Sequence, residues 1–331
     1  MDPVTHIASG LLAGRLLADR LPSPRRALAF GMLAAWLPDV DSFVGLGPEQ
    51  YLRDHRAFTH SLPGGALLAL GLALAFTPLA RQAGTRRLFL WGYGLVLLHV
   101  FLDLCTTYGT LALWPLSDAR LYLPALFIVD PFLTLPLLTL LALTFLRKEK
   151  RRALAVLGLA LCLAYPLANL GVRAAVTAEL EHRLAASGVA FRKVELIPDL
   201  LAPLWWKAVV DQGDTLAAAS VPALLPAGDI PLEAHRKADP ALLARLGEQA
   251  PIFRTWSWFA LYPVMRESPA NPSTEMTFED LRFAATSPLG RRLFPGYDPP
   301  FTLWARLNGN GRLAEYSFRG ANGNSAGHLT D

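Results

Sequence analysis

Cysteine is nearly absent from this chain of 331 residues: Cys105 and Cys162 are the only two, they form no CxxC pair, and Cys162 sits inside an apolar run. This argues against a disulfide framework and leaves the redox compartment unread. Charge is scarce as well. Charged residues make up 18% against 53% hydrophobic, and the mean hydropathy of +0.31 is too apolar for an ordinary soluble protein. No basic stretch precedes the first apolar segment and Arg15 interrupts it, so it reads as part of the mature protein rather than a signal peptide. Positive charge is missing where a nucleic-acid binder would need it. Residues 173–331 hold 16 Lys+Arg and 17 Asp+Glu, a net of −1, whereas residues 1–172 hold 15 and 10. The second half also lacks a nucleophile motif, a phosphate-binding glycine loop and any internal repeat.

What is present is a series of apolar segments, at roughly 3–18, 27–38, 61–80, 88–102, 121–146 and 153–172. Segments 61–80 and 153–172 reach the ~20 residues of a spanning helix. The first two are short enough to be tilted, half-inserted or buried core helices. The connecting loops alternate in charge. Eleven Lys+Arg lie within 20–26, 81–87 and 147–152, while 39–60 and 103–120 hold only Arg53, Arg56 and Arg120. The positive-inside rule then puts the basic loops in the cytoplasm and the N-terminus outside.

Seven ionisable side chains recur at the ends of these segments: His6, Asp39 and Asp41 in Leu-Pro-Asp-Val-Asp, His55 and His60 in His-Arg-Ala-Phe-Thr-His, and His99 with Asp103. Such groups beside apolar runs are costly, and imidazole with carboxylate is the ligand set of zinc, manganese or iron. The arginine-based topology sorts all seven to the outer face. His99 and Asp103 are i and i+4 on one helix face, where both reach a single ion, although a buried His–Asp hydrogen bond has the same spacing. His55 lies in the solvated run Arg53-Asp54-His55-Arg56, so His60 is the better ligand. Asp41 is preferred to Asp39, which follows Pro38 where an aspartate often only shapes a turn. The metal set is thus His6, Asp41, His60, His99 and Asp103, with Asp39 and His55 given roles in turnover beside the metal. Asp130, before Pro131, is expected to be a kink carboxylate paired with Arg120 or Arg56. His182, His235 and His328 show no ligand spacing and read as surface residues.

Taken together, Asp-Pro-Val-Thr-His6, Leu-Pro-Asp39-Val-Asp41, His55-Arg-Ala-Phe-Thr-His60-Ser61 and His99-Val-Phe-Leu-Asp103 with Thr107-Tyr108-Gly109-Thr110 resemble the bacterial membrane-bound metal-dependent hydrolases. These are the YdjM-like proteins, one branch of which is described as LexA-binding inner-membrane hydrolases. The resemblance covers the whole membrane half, and Pro203-Leu-Trp205-Trp206 and Phe278-Glu-Asp280-Leu-Arg282-Phe283 look like that family's C-terminal region. It implies an inner-membrane, multi-pass protein with a divalent-metal centre. More distantly, the order His, Asp, His, HxxxD is similar to the zinc-dependent phospholipases C and single-strand-specific zinc nucleases. That likeness implies His6 on one zinc, Asp41 and His60 on another, His99 nearby and Asp103 bridging, with a phosphoester or lipid head group as substrate. Those proteins continue with a further histidine and a second histidine–acid pair, and this chain has no histidine between 99 and 182, so one or two Zn2+ are expected. Two other readings stay open. The metal could only hold short helices together, or the protein could bind a DNA-damage-response repressor, which short basic cytoplasmic loops would serve poorly.

From about residue 174 the chain changes character. A charged helix over 174–187 is followed by β-like runs at 189–197, 206–211, 215–220, 275–283, 302–307 and 313–318, with a helix over 239–250. Trp205, Trp206, Trp256 and Trp258 are expected in its core. The expected architecture is an α-helical integral membrane bundle of about six apolar segments over 1–173, sitting in the lipid bilayer. A small α+β extracytoplasmic domain follows over 174–319, then a disordered tail over 320–331.

Overall fold

In the computed structural model, described over residues 1–44, 47–224, 230–271 and 274–329, the chain divides into two units. The first comprises Met1–Val44, Arg56–Val172 and Leu201–Pro203, and the second Gly45–His55, Arg173–Leu200 and Leu204–Asp331. The helices before the sheets are α1 Pro3–Leu17, α2 Pro24–Trp36, α3 Pro48–Asp54, α4 Leu62–Phe76, α5 Thr85–Leu104, α6 Pro131–Leu146 and α7 Arg151–Ala186. Four of their starts are set locally. Asp2, Ser23, Ser61 and Asp130 accept from backbone N–H groups two or three residues ahead, and proline occupies the first or second position of α1, α2, α4 and α6. An oxygen-bearing cap followed by proline satisfies orphan donors and presets the first helical φ. Asp130 is therefore a helix cap, with the Tyr165 hydroxyl donating to both its oxygens at 3.1 and 3.2 Å, and not the kink carboxylate expected.

Six apolar segments do not become six spans. Among the described residues, three helical stretches are long and apolar enough to cross a bilayer: Leu62–Leu79, Thr85–Leu104 and Lys148–Ala186. The segment expected from 121 becomes helical only at Pro131, leaving a shorter apolar helix of 16 residues. α1 and α2, at 15 and 13 residues, are too short by the same measure. They pack on each other through small residues instead. A Cβ added at Gly31 would lie 2.2 Å from the carbonyl oxygen of Gly10, and one added at Gly14 would lie 2.7 Å from that of Ala27. Close backbone approach of this kind replaces the hydrophobic drive that lipid cannot supply. Gly31→Val should accordingly lower stability by roughly 1–3 kcal/mol, read as thermal unfolding in detergent. An unchanged midpoint would mean that the two helices do not approach this closely.

The helices of the first unit alternate in direction, which separates two sets of residues to opposite ends. Arg15 donates to Thr144, Arg26 to the carbonyl of Leu79 at 2.7 Å, and Arg151 pairs with Asp19, so the basic loops share one end. The start of α1, the end of α2, the start of α4 and the end of α5 share the other. Between them lies a core that includes Leu12, Leu102, Leu126, Leu133, Leu137 and Cys162.

The second unit is α+β. Strands β1 Lys193–Pro198, β2 Trp205–Asp211, β3 Thr215–Pro222 and β4 Glu233–Arg236 form one antiparallel sheet in sequence order. Helices α8 Pro240–Gln249 and α9 Pro251–Phe259 follow. Strands β5 Pro263–Glu267, β6 Glu275–Asp280, β7 Thr302–Leu307, β8 Leu313–Arg319 and β9 Asn324–His328 then form a second, again in order, with α10 Pro288–Leu293 between β6 and β7. Trp206 and Trp256 are fully buried. The buried ammonium of Lys207 donates to the carbonyl oxygens of Leu281 and Arg282, both at 2.9 Å, and of Ala284, tying β2 to the segment after β6. Burial lowers its pKa, and the three carbonyls compensate for the lost hydration. The stretch beyond 320 is not disordered throughout: Asn324–His328 pair with β8 as an edge strand.

Candidate metal centre

The metal-binding geometry begins with backbone choices. α2 runs into a 3-10 helix, Leu37–Phe43, that carries Asp39 and Asp41, and a second 3-10 turn, Phe58–His60, carries His60 just before α4. α5 supplies His99 and Asp103 from adjacent turns of its last stretch. One ligand atom from each of Asp39, His60, His99 and Asp103 lies within 4.8 Å of all the others. The separations are more informative than the limit. His60 Nε2 stands 3.2 Å from His99 Nε2, 3.5 Å from Asp39 Oδ1 and 3.1 Å from Asp103 Oδ2. His99 Nε2 stands 3.5 Å from Asp39 Oδ1 and 3.4 Å from Asp103 Oδ2. Ligands at about 2.0–2.1 Å from a tetrahedral ion are ~3.4 Å from one another, so five edges of this arrangement have the length a zinc-type polyhedron requires.

The hydrogen-bond partners fix which nitrogens face inward. His99 Nδ1 is 2.7 Å from the carbonyl oxygen of Ala35, which can only accept, so Nδ1 carries the proton and Nε2 the lone pair. The Thr59 hydroxyl donates to Asp41 Oδ2 at 3.0 Å and accepts from His60 Nδ1 at 2.9 Å, leaving His60 Nε2 turned toward the centre. Two lone pairs facing each other at 3.2 Å repel unless a cation or proton lies between them. Two neutral imidazoles with two carboxylates are a charge-matched set for a dication, so the residues present fit a divalent ion.

Asp103 divides its two oxygens. Oδ1 faces the Met1 amine, His6 Nε2 at 3.3 Å and Arg56 Nη2 at 3.0 Å, while Oδ2 faces the two ligand imidazoles. Asp39 is held well below the usual carboxylate range: burial opposes ionisation, but hydrogen bonds from His60 and His99 outweigh it. Burial likewise works against a charged His60, yet the carboxylates of Asp103, Asp39 and Asp41 raise its pKa to about 10. At neutral pH the metal-free His60 is therefore protonated, and an incoming ion must displace that proton. Metal affinity should rise with pH up to that value. Zinc titrations at pH 7 in buffers of different ionisation enthalpy should report about one proton released per ion. No release would mean that His60 is not a ligand.

These placements differ from the expected ligand set of His6, Asp41, His60, His99 and Asp103. Asp39, not Asp41, joins the convergent atoms; Asp41 instead braces His60 and accepts the Arg56 backbone N–H at 3.0 Å. His6 stacks on His99 with ring centroids 3.7 Å apart and reaches Asp103, but it is not one of the four. His55 ends α3 in the second unit, its ring stacked 4.5 Å from that of Tyr51, and is not one of the four either. His182 and His328 are exposed. Arg56 and Thr59 give no ligand signal in the sequence: an arginine in a loop reads as a topology signal, and a lone threonine before a histidine reads as nothing in particular. The sign that could have found Arg56 is its place between two histidines and beside a spanning run. Its φ of 61° is a left-handed backbone that costs a non-glycine residue about 1 kcal/mol or more, and such strain gathers at functional sites.

A family model described as YdjM inner membrane protein matches residues 1–177, which contain every residue of this centre. The chain belongs to the YdjM inner membrane protein family. It is therefore a membrane protein, and the family match ends close to the boundary between the two units. The chain is also similar to the uncharacterized protein YfhP of Bacillus subtilis (strain 168), 33% identical over 140 residues, which is 40% of this chain and 43% of that relative. It thus spans less than half the length of that relative. No solved structure matches the chain.

Proposed function

We propose that the protein is a membrane-bound metal-dependent hydrolase whose centre lies at the extracytoplasmic face. The observation that carries this is the donor set, two imidazoles and two carboxylates without a thiolate, of which Asp39 reaches solvent, so that water could join the four as a fifth ligand. An ion bound there, zinc by donor chemistry, would bring the pKa of a bound water to about 7 and polarise an ester oxygen. The chain's own residues have separate tasks around it. Asp41 and Thr59 hold the His60 ring, Ala35 holds His99, and Arg56 holds Asp103. Asp39 is the ligand carboxylate whose side chain reaches solvent, at 12% exposure against none for His60, His99 and Asp103, so water arrives on its side.

Position favours an amphipathic phosphoester, such as a lipid head group, as substrate. His60 stands two residues before one candidate spanning stretch and Asp103 one residue before the end of another, which supports a centre at the level of the head groups. The test is release of head group from a mixed phospholipid extract, or of nitrophenol from bis(p-nitrophenyl) phosphate, by full-length protein with and without chelator. Chelator-sensitive product supports the hydrolase. No product together with a steep fall in thermal stability on chelation would favour a purely structural ion.

The orientation is proposed from the same geometry, with the N-terminus and the sheet-rich unit outside. The three long stretches alone would leave the orientation inconsistent, so α6, about 24 Å long at 1.5 Å per residue, must complete the alternation. A reporter that works only outside the cytoplasm should be active when fused after residue 331 and silent after Gln82. The reverse pattern would place the centre in the cytoplasm.

A further inference from the structure

Arg56 is a buried cation of the metal centre with a donor left unpartnered among the described residues. It is 3% exposed, and its guanidinium lies 5.0 Å from the Tyr108 ring centroid. Nη1 donates to the Thr106 hydroxyl at 2.9 Å and the Asp103 carbonyl at 3.3 Å, and Nη2 donates to Asp103 Oδ1 at 3.0 Å. Nε, on the edge it shares with Nη2, has no acceptor among the described residues. A buried donor without a partner is costly, and where one persists an ion or water outside the protein usually accounts for it. The backbone around this donor is tied down on both sides. The Arg56 N–H goes to Asp41, its carbonyl accepts from Leu111 at 2.9 Å, and its φ is left-handed. A strained, pinned and buried arginine is a poor choice for a mere counter-ion, since a flexible lysine could neutralise Asp103. A planar fork is chosen where two oxygens must be gripped together.

We propose that the Nε–Nη2 edge of Arg56 binds a tetrahedral oxyanion, a phosphate-type group, held between this guanidinium and the ion ligated by Asp103. This deepens the hydrolase reading and rests on it: the substrate is anionic at the reacting group, and Arg56 distinguishes a phosphoester from a neutral carboxylic ester or amide. The same chemistry serves a lipid head group or a soluble phosphate.

The experiment is isothermal titration of zinc-loaded, full-length protein in detergent with inorganic phosphate, and in parallel with dihexanoyl phosphatidic acid. Zinc content is measured on every sample. Wild type should bind phosphate, and Arg56→Lys and Arg56→Gln, each saturated with zinc so that loaded samples are compared, should bind it roughly 10- to 100-fold more weakly. Arg56→Lys keeps the charge on Asp103 while losing the fork, so it remains informative should Arg56→Gln fail to fold. Tighter binding of the lipid than of phosphate, again lost in Arg56→Lys, supports a head group as the source, and equal binding supports a soluble one. Zinc-loaded wild type that ignores phosphate overturns the proposal, as does a zinc-loaded Arg56→Lys that binds within about threefold of wild type. Wild type that retains no zinc overturns the hydrolase reading and this inference with it.

Discussion

Asp103→Ala should lose its metal entirely and also be the most destabilising single change in the first unit. Asp103 is fully buried and supplies Oδ2 to the centre while Oδ1 faces Arg56 and the Met1 amine. Removing it takes away one of the four convergent donors and leaves an arginine buried without its carboxylate. Breaking a buried pair from one side costs about 3–5 kcal/mol. His60→Ala should also lose the metal, while His182→Ala and His235→Ala keep full occupancy, because neither belongs to the convergent set. Metal analysis and thermal unfolding of the four purified variants are the measurements. Equal metal content across them would show that the ligands lie elsewhere.

The second large effect separates two aspartates that stand two residues apart. Asp39→Asn should abolish stoichiometric metal binding, since Asp39 Oδ1 lies 3.5 Å from both ligand nitrogens. Asp41→Asn removes only the carboxylate that, through Thr59, orients His60, and should weaken metal affinity by ~10- to 100-fold without removing the site. Competition titration against a zinc chelator measures both. An Asp41→Asn protein stripped of metal beside a normal Asp39→Asn protein would reverse the assignment made here.

Much of this centre is legible before any fold is known, because the cost of placing ionisable groups beside apolar runs makes them conspicuous. His60, His99 and Asp103 stand out for that reason, and the i,i+4 spacing of the last two needs only a helix. The choice between Asp39 and Asp41 is not legible. In a 3-10 helix, residues two apart point about a third of a turn away from each other, so one aspartate faces inward and the other sideways. Nothing in Asp-Val-Asp says where that helix starts. The solvated run around His55 already sets it apart from His60 in sequence, and in the fold α3 ends at Asp54 and groups His55 with the second unit. In the second half, short apolar runs bounded by turn residues mark β2 and β3, and alternation marks β7. The strands β4, β5 and β9 are short or poor in buried residues and give little signal; their pairing partners define them.

By itself the sequence determined that the chain meets a membrane, where several helices begin, and which end of them collects imidazole and carboxylate. Those properties depend on hydropathy, capping chemistry and the sorting of arginine, all of which are local. Only the tertiary structure decided how many segments are long enough to span, which four side chains converge, and that Arg56 joins them. Convergence depends on where helices from distant parts of the chain cross, and Gly10, Gly14 and Gly31 set one such crossing through contacts between backbones that no local pattern records.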